Sequence, residues 1–204
     1  MRIGILADIH EDGCTLALAL AQCRAGGVDR VVVLGDVFDT GGRLAETAAL
    51  LAGAGAIGVW GNHDLGLCHD PEPSVRARYA GPAADFMATL GPRLEVGGCL
   101  FVHGLPDWDP TDPAVYYLGD GPETAAGRAA SFAAFAHPVC FVGHFHCWLA
   151  ATPGGLLPWV GAEPLVLHPD DRWLVVVHAV CDGWWATYDT DTRLLTPRRL
   201  AAGL

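Results

Sequence analysis

Five short apolar runs along the chain each stop at a cluster of metal-friendly side chains. Residues 2–7 run into Asp8 and His10, and residues 30–34 run into Gly35 and Asp36. Residues 56–60 lead to Gly61, Asn62 and His63, residues 99–102 to His103, and residues 139–142 to Gly143, His144 and His146. Each run is four to six residues long and rich in Val, Ile, Leu and Phe, as strands buried on both faces are. Helical patterns fill the gaps. Asp12 is a candidate N-cap for a helix over 15–25, which Gly26-Gly27 would end. Further helices are predicted over 43–52, 75–90 and 123–136. Strand, helix and strand alternating at the start of the chain predict a parallel sheet with right-handed crossovers. Ligands of such sheets gather outside the carboxyl ends of the strands, and all five polar clusters fall there.

The last third reads differently. Residues 172–180 and 184–188 have the pattern of strands in a meander around Cys181-Asp182-Gly183. Segments 65–74 and 105–122 are loops rich in Pro, Asp and Gly. Each follows a polar cluster directly and is predicted to roof the site. No linker, repeat or low-complexity tract divides the chain, so 1–204 is read as one domain.

Composition narrows the function classes. The chain is 51% hydrophobic and 17% charged, with a mean hydropathy of +0.30. That describes a packed globular protein. No apolar stretch approaches bilayer-spanning length. The first run is too short for a signal peptide and ends in Asp8, so a cytoplasmic location and no membrane partner are expected. The net charge is -11, and all 12 basic residues are Arg. This balance argues against a nucleic-acid partner. The seven cysteines include no C-x-x-C pair, so neither disulfides nor a cysteine zinc site is expected.

The candidate ligands are Asp8, His10, Asp36, Asn62, His103, His144 and His146: two carboxylates, one amide oxygen and four imidazoles. If Asp36 bridges two ions, these residues give each ion four protein bonds. Mixed oxygen and imidazole donors suit Mn, Fe, Zn, Co or Ni, whereas Ca and Mg want oxygen. Two divalent ions, two carboxylates and a bridging hydroxide leave about one net positive charge, which is a place for a phosphate oxygen.

Asp8-Ile9-His10, Gly35-Asp36-Val37-Phe38-Asp39, Gly61-Asn62-His63-Asp64, Val102-His103-Gly104 and Gly143-His144-Phe145-His146 resemble the five signature blocks of the calcineurin-like metallophosphoesterases, in order and in spacing. The resemblance implies an α/β fold of four layers, α-β-β-α, around two mixed sheets. It implies that Asp8, His10, Asp36 and His146 hold one metal, and that Asp36, Asn62, His103 and His144 hold the other. A metal-held hydroxide would then hydrolyse a small phosphoester. His63 would be a non-ligand that contacts phosphate and protonates the leaving oxygen, with Asp39 as its carboxylate partner. A carboxylate beside an imidazole favours the charged ring, as an acid needs. Asn62 and His63 would also touch the substrate.

Departures from the named branches are specific. Thr40 stands where protein phosphatases and dinucleoside-tetraphosphate hydrolases have Arg, and Asp39 stands where purple acid phosphatases need Tyr. His63 stands where some small phosphodiesterases have Cys, and no Asn-Pro-Gly-Ser-type loop follows Leu149. A small phosphodiester or nucleotide-like substrate is expected, with a phosphomonoester as the alternative. A DNA-end nuclease and a non-catalytic scaffold are the rivals from other classes. The acidic balance counts against the first, and the retained histidines count against the second. Asp39 also reads as a helix N-cap, and Asp64 as a loop or N-cap residue. Trp108, Tyr116 and Tyr117 either stack on an aromatic substrate or form their loop's own core; Trp108 is carried forward as the substrate-binding candidate. Arg76 and Arg78 read as a solvated helix face. His69, His137, His168 and His178 read as structural or exposed, and Cys147 as packing.

Overall fold

The structure is a computed structural model and describes residues 1–200. The first half runs β1 (Arg2–Leu6), α1 (Gly13–Ala25), β2 (Arg30–Leu34), α2 (Leu44–Gly53) and β3 (Ile57–Val59). Three short helices follow, α3 (Leu65–Cys68), α4 (Pro73–Arg78) and α5 (Pro82–Met87). Then come β4 (Leu94–Val96), β5 (Cys99–Val102), α6 (Val115–Leu118), α7 (Ala125–Ala134) and β6 (Val139–Val142). The chain closes with β7 (Leu149–Thr152), β8 (Gly155–Leu156), β9 (Leu165–Val166), β10 (Trp173–Val176), β11 (Trp184–Asp189) and β12 (Leu194–Arg199).

These strands form two mixed six-stranded sheets, in the orders β3-β2-β1-β11-β12-β9 and β4-β5-β6-β10-β7-β8. The predicted parallel pairs β1–β2 and β2–β3 are present, as are β5–β6 and β6–β10 in the second sheet. Alternation along each strand divides its side chains between two cores. Ile3, Ile5, Val32 and Leu34 meet Phe101, Phe141 and Val175 between the sheets. Leu6, Val33 and Trp185 turn outward against Leu16, Leu51, Phe86 and Met87 of the helices. On the far side Val102, Cys140, Val142 and Leu174 pack against Phe132, Trp108 and Tyr116. The result is the expected four-layer α-β-β-α arrangement.

Three expectations are corrected. The helix over 75–90 is split in two, because Gly81 adopts φ 103° and Pro82 restarts the chain as the first residue of α5. The loop segments carry short helices of their own, α3 and α6. The meander is absent: β10 belongs to the second sheet and β11 to the first. Between them the backbone crosses from sheet to sheet, with Val177 N–H donating to Val142 and Val180 N–H to Ala7. That crossing runs over the carboxyl ends of β6 and β1, where two of the polar clusters sit. Asp12 does cap α1, its carboxylate accepting from Thr15 N–H at 3.0 Å.

Candidate metal centre

Five strands from two sheets bring their terminal residues to one place, and the backbone there is unusual. Asp8, His10, Asp36, His144 and His146 all have φ between 47° and 66°, the left-handed region that side chains other than those of Asn, Asp and His rarely enter. Each such residue costs about 1–3 kcal/mol and turns the chain sharply where a strand stops. Hydrogen bonds hold the turns together. Asp8, His10 and Glu11 donate their N–H groups to Gly35, Asp36 and Val37, tying the end of β1 to the end of β2. Glycine is required at Gly61, where a Cβ would run into the Asp36 carboxylate.

The donor atoms of Asp36, His103 and His144 lie within 4.8 Å of one another, and so do those of His10, Asp36 and His63. Asp36 therefore stands between two groups. His103 Nε2 is 3.4 Å from Asp36 Oδ2 and 3.0 Å from Asn62 Oδ1. On the other side His10 Nε2 is 3.8 Å from Asp36 Oδ2, and His146 Nε2 is 3.8 Å from Asp8 Oδ1. Asp8 lies beneath them, fully buried, with its carboxylate accepting from His144 N–H.

Three ring nitrogens have their states set by a partner that only accepts. Leu34 O takes the His103 Nδ1–H at 2.6 Å, Tyr116 O takes the His144 Nε2–H at 3.0 Å, and Asp182 Oδ2 takes the His146 Nδ1–H at 3.0 Å. Each ring presents its other nitrogen to the cluster, oriented by the hydrogen bond behind it. Among the described residues no Arg pairs with Asp8 or Asp36. Their ionic neighbours are the histidine rings. Two buried carboxylates need a compensating positive charge, and imidazole nitrogens presented with them fit a divalent transition metal.

The protein's own electrostatics point the same way. Burial pushes Asp8 up to about 7 against the pull of His103, and the nearby Asp36 charge adds to the rise. Burial also works against the Asp36 anion, but the His103 charge and hydrogen bond outweigh it and hold Asp36 below the usual carboxylate range. His103, though burial lowers it, is lifted by Asp36 to about 9. His144 is lowered to about 4 by burial and by the His103 charge. Within one small volume, then, Asp36 is held as the anion while His144 is kept neutral.

Four residues beyond the expected seven complete the surroundings. Asp182, on the crossing between the sheets, orients His146. Cys181 beside it lies 3.9 Å from the same ring nitrogen, and His10, His146 and Cys181 form a third compact donor group. Buried Glu11 accepts from the N–H groups of Asp39, Gly41 and Arg43. Buried Asp64 accepts from Val37, Phe38 and Gly61, so its carboxylate staples two ligand loops, while the residue stands at the N-cap of α3 without a side-chain cap bond. Only Asp64 carried a signal in the sequence, by its place in the fourth position of the Gly61 block.

Expectations for two residues are not met by these contacts. Asp39 makes no hydrogen bond to His63 among the described residues. Its backbone is fixed by Glu11, its side chain is exposed, and its charge acts on His10. It does not cap α2 either, because Arg43 occupies that position. Trp108 is only 7% exposed and packs edge-on to Tyr116 at 5.6 Å. Gly104 and Gly119 close against its ring, leaving no face for a ligand. Its loop is a small core that supports His144 through Tyr116, while Tyr117 is exposed. His63 itself is exposed beside the cluster, its ring 4.8 Å from that of His10.

Comparison with known proteins shows the family of the chain. The model of the calcineurin-like phosphoesterase superfamily domain matches residues 1–168, and the chain belongs to that family of metal-dependent phosphoesterases. Among solved structures it is similar to a metallophosphoesterase from Sphaerobacter thermophilus, with 25% identity and a TM-score of 0.79 over 100% of this chain and 90% of the other. An archaeal phosphodiesterase shares the fold at 16% identity and a TM-score of 0.57, covering 98% of this chain and 100% of its own. A phosphoesterase from E. coli does so at 15% identity and a TM-score of 0.52, with 98% and 100% covered. No curated protein matches the sequence. The chain is thus a metallophosphoesterase, and no helix among its described residues is long and apolar enough to cross a membrane.

Proposed function

We propose that this single-domain enzyme hydrolyses small phosphodiesters at a two-metal centre in which Asp36 is the shared ligand. Asp8, His10 and His146 complete one ion's protein ligands, and Asn62, His103 and His144 complete the other's. Bound divalent ions supply Lewis acidity toward phosphoryl oxygens and acidify water. The chain's residues do the rest. Asp182, Leu34 O and Tyr116 O fix the ring orientations of His146, His103 and His144. Asp64 and Glu11 hold the loops that carry Asp36 and Asn62. His63 stands beside the cluster with its ring exposed and delivers a proton from a ring nitrogen to the leaving oxygen.

The observation that supports the reading best is the convergence of donors around Asp36 from left-handed residues at strand ends. Their strain has no other visible use. Preference for a diester follows from charge. Among the described residues no Arg pairs with Asp8 or Asp36, and Thr40 takes the place of a clamping Arg. A dianionic monoester therefore gains little here beyond the metals. The test is to reconstitute metal-free protein with Mn, Fe, Zn, Co or Ni, count ions per chain, and assay bis-p-nitrophenyl phosphate beside p-nitrophenyl phosphate. Up to two ions and faster diester turnover are expected. Asp36→Asn should lower occupancy of both sites together. Full occupancy in that variant removes the shared-ligand assignment, and faster monoester turnover removes the diester preference.

A further inference from the structure

A cavity of about 390 Å³ opens beside the metal cluster, and His63 forms part of its wall. The other walls are largely apolar: Phe38 from the loop after β2, Leu67 from α3, and Val75 and Tyr79 from α4 and its end, with Arg78 at the rim. These apolar side chains are half-buried, neither packed away nor fully in solvent. The wall is also preformed. Phe38 and Tyr79 meet edge to face at 5.8 Å, and the Tyr79 ring lies so close to Gly41 that a Cβ there would collide with it. Gly41 is in turn fixed by Glu11. The Arg78 guanidinium sits 5.1 Å from the Tyr79 ring centre, adding a positive edge to an aromatic face.

We propose that this cavity is the subsite for an aromatic arm of the substrate, an aryl or nucleobase-bearing group joined to the phosphate under attack. The inference rests on the functional reading above, since it is the phosphate on the metals that places the arm. His63 connects the two regions: its donor atom lies within 4.8 Å of those of His10 and Asp36, and its ring also lines the cavity. A group attached to a phosphate at the cluster therefore has an apolar, aromatic-walled space directly beyond it. Such a space binds flat apolar groups and offers little to a methyl or glyceryl group. The Trp108 side of the site, closed by packing, cannot take this part.

Phenylphosphonate and methylphosphonate separate the two regions, because both present the same head to the metals and only one carries a ring. Their dissociation constants are measured by calorimetry on metal-loaded protein. Wild type should bind the phenyl compound about tenfold more tightly, the scale of burying part of one ring. Val75→Trp should fill the cavity and bring the ratio close to one while leaving methylphosphonate affinity unchanged. Leu67→Trp, which fills it from α3, gives a second chance if the first variant folds poorly. Equal binding of the two compounds by wild type overturns the subsite, and so does a preference that survives both filled variants. Failure of wild type to bind either phosphonate overturns the functional reading, and the subsite with it.

Discussion

Replacing Asp64 with Ala removes a single carboxylate and strands three backbone donors. Asp64 is fully buried and accepts from Gly61 N–H at 2.9 Å, Phe38 N–H at 2.9 Å and Val37 N–H at 3.3 Å. An unsatisfied buried donor costs about 1–3 kcal/mol. The Val37 bond is long, so the lower part of that range applies and the total is about 3–5 kcal/mol. In a chain of this size each kcal/mol moves the melting temperature by about 2–4 °C, so a fall of about 10 °C is expected. Asp64→Asn keeps one accepting oxygen but sets an amide N–H against a donor, and should lose less, about 1–3 kcal/mol. Thermal unfolding of the metal-loaded protein reads the difference. Elemental analysis should show reduced metal content in the Ala variant, because Asp36 and Asn62 sit on the two loops that Asp64 joins. If Asp64→Ala melts within about 2 °C of wild type, or if Asn costs as much as Ala, the staple argument is wrong.

Three further outcomes are expected. His63→Asn should keep its metals but lose about 10²–10⁴ in kcat, with a smaller loss for good leaving groups; an equal loss for all leaving groups refutes the acid role. Trp108→Ala should cost about 3–5 kcal/mol of stability through its emptied packing site and leave the phenyl-to-methyl phosphonate ratio unchanged; a changed ratio with normal stability would restore it as a substrate contact. Metal-free protein should melt lower as pH rises above about 6.5. Folded Asp64 and Asp8 keep their protons up to about 6 and about 7, against 3.8 for an ordinary carboxyl, and folded His103 keeps its proton up to about 9, against 6.5. Folded His144 has already given up its proton above about 4, against 6.5 in the unfolded chain, and so opposes the carboxylates between about pH 4 and 6.5; the net loss of stability falls between about pH 6.5 and 9, where folded His103 still holds a proton that the unfolded chain has released. A melting temperature that climbs with pH across this range contradicts the assignment.

The sequence by itself determined the elements that local rules govern. An apolar run of four to six residues that stops at Gly, Asp or His reads as a buried strand ending at a site, and the ends of β1, β2, β3, β5 and β6 all obeyed this. Asp12 capped α1 because a cap depends on residues three apart. The donors around Asp36 were legible for the same reason, since each sits one to four residues past its own strand. Tertiary structure alone decided what depends on distant neighbours. β10 and β11 are both short apolar strands, and nothing in either shows that one pairs with β6 and the other with β1. The crossing between them carries Asp182 to His146, 36 residues away in the chain. Glu11 and Asp64 became staples only when loops 28 and 27 residues away folded against them. By pattern Trp108 lies in a loop and Tyr79 in a predicted helix, and neither pattern shows which ring is buried. Packing against Gly104 and Gly119 buries the first, while the gap beside α3 and α4 leaves the second facing a cavity. Side-chain chemistry is a local property and can be read from order along the chain; burial is set by whatever else arrives, and only the fold brings it there.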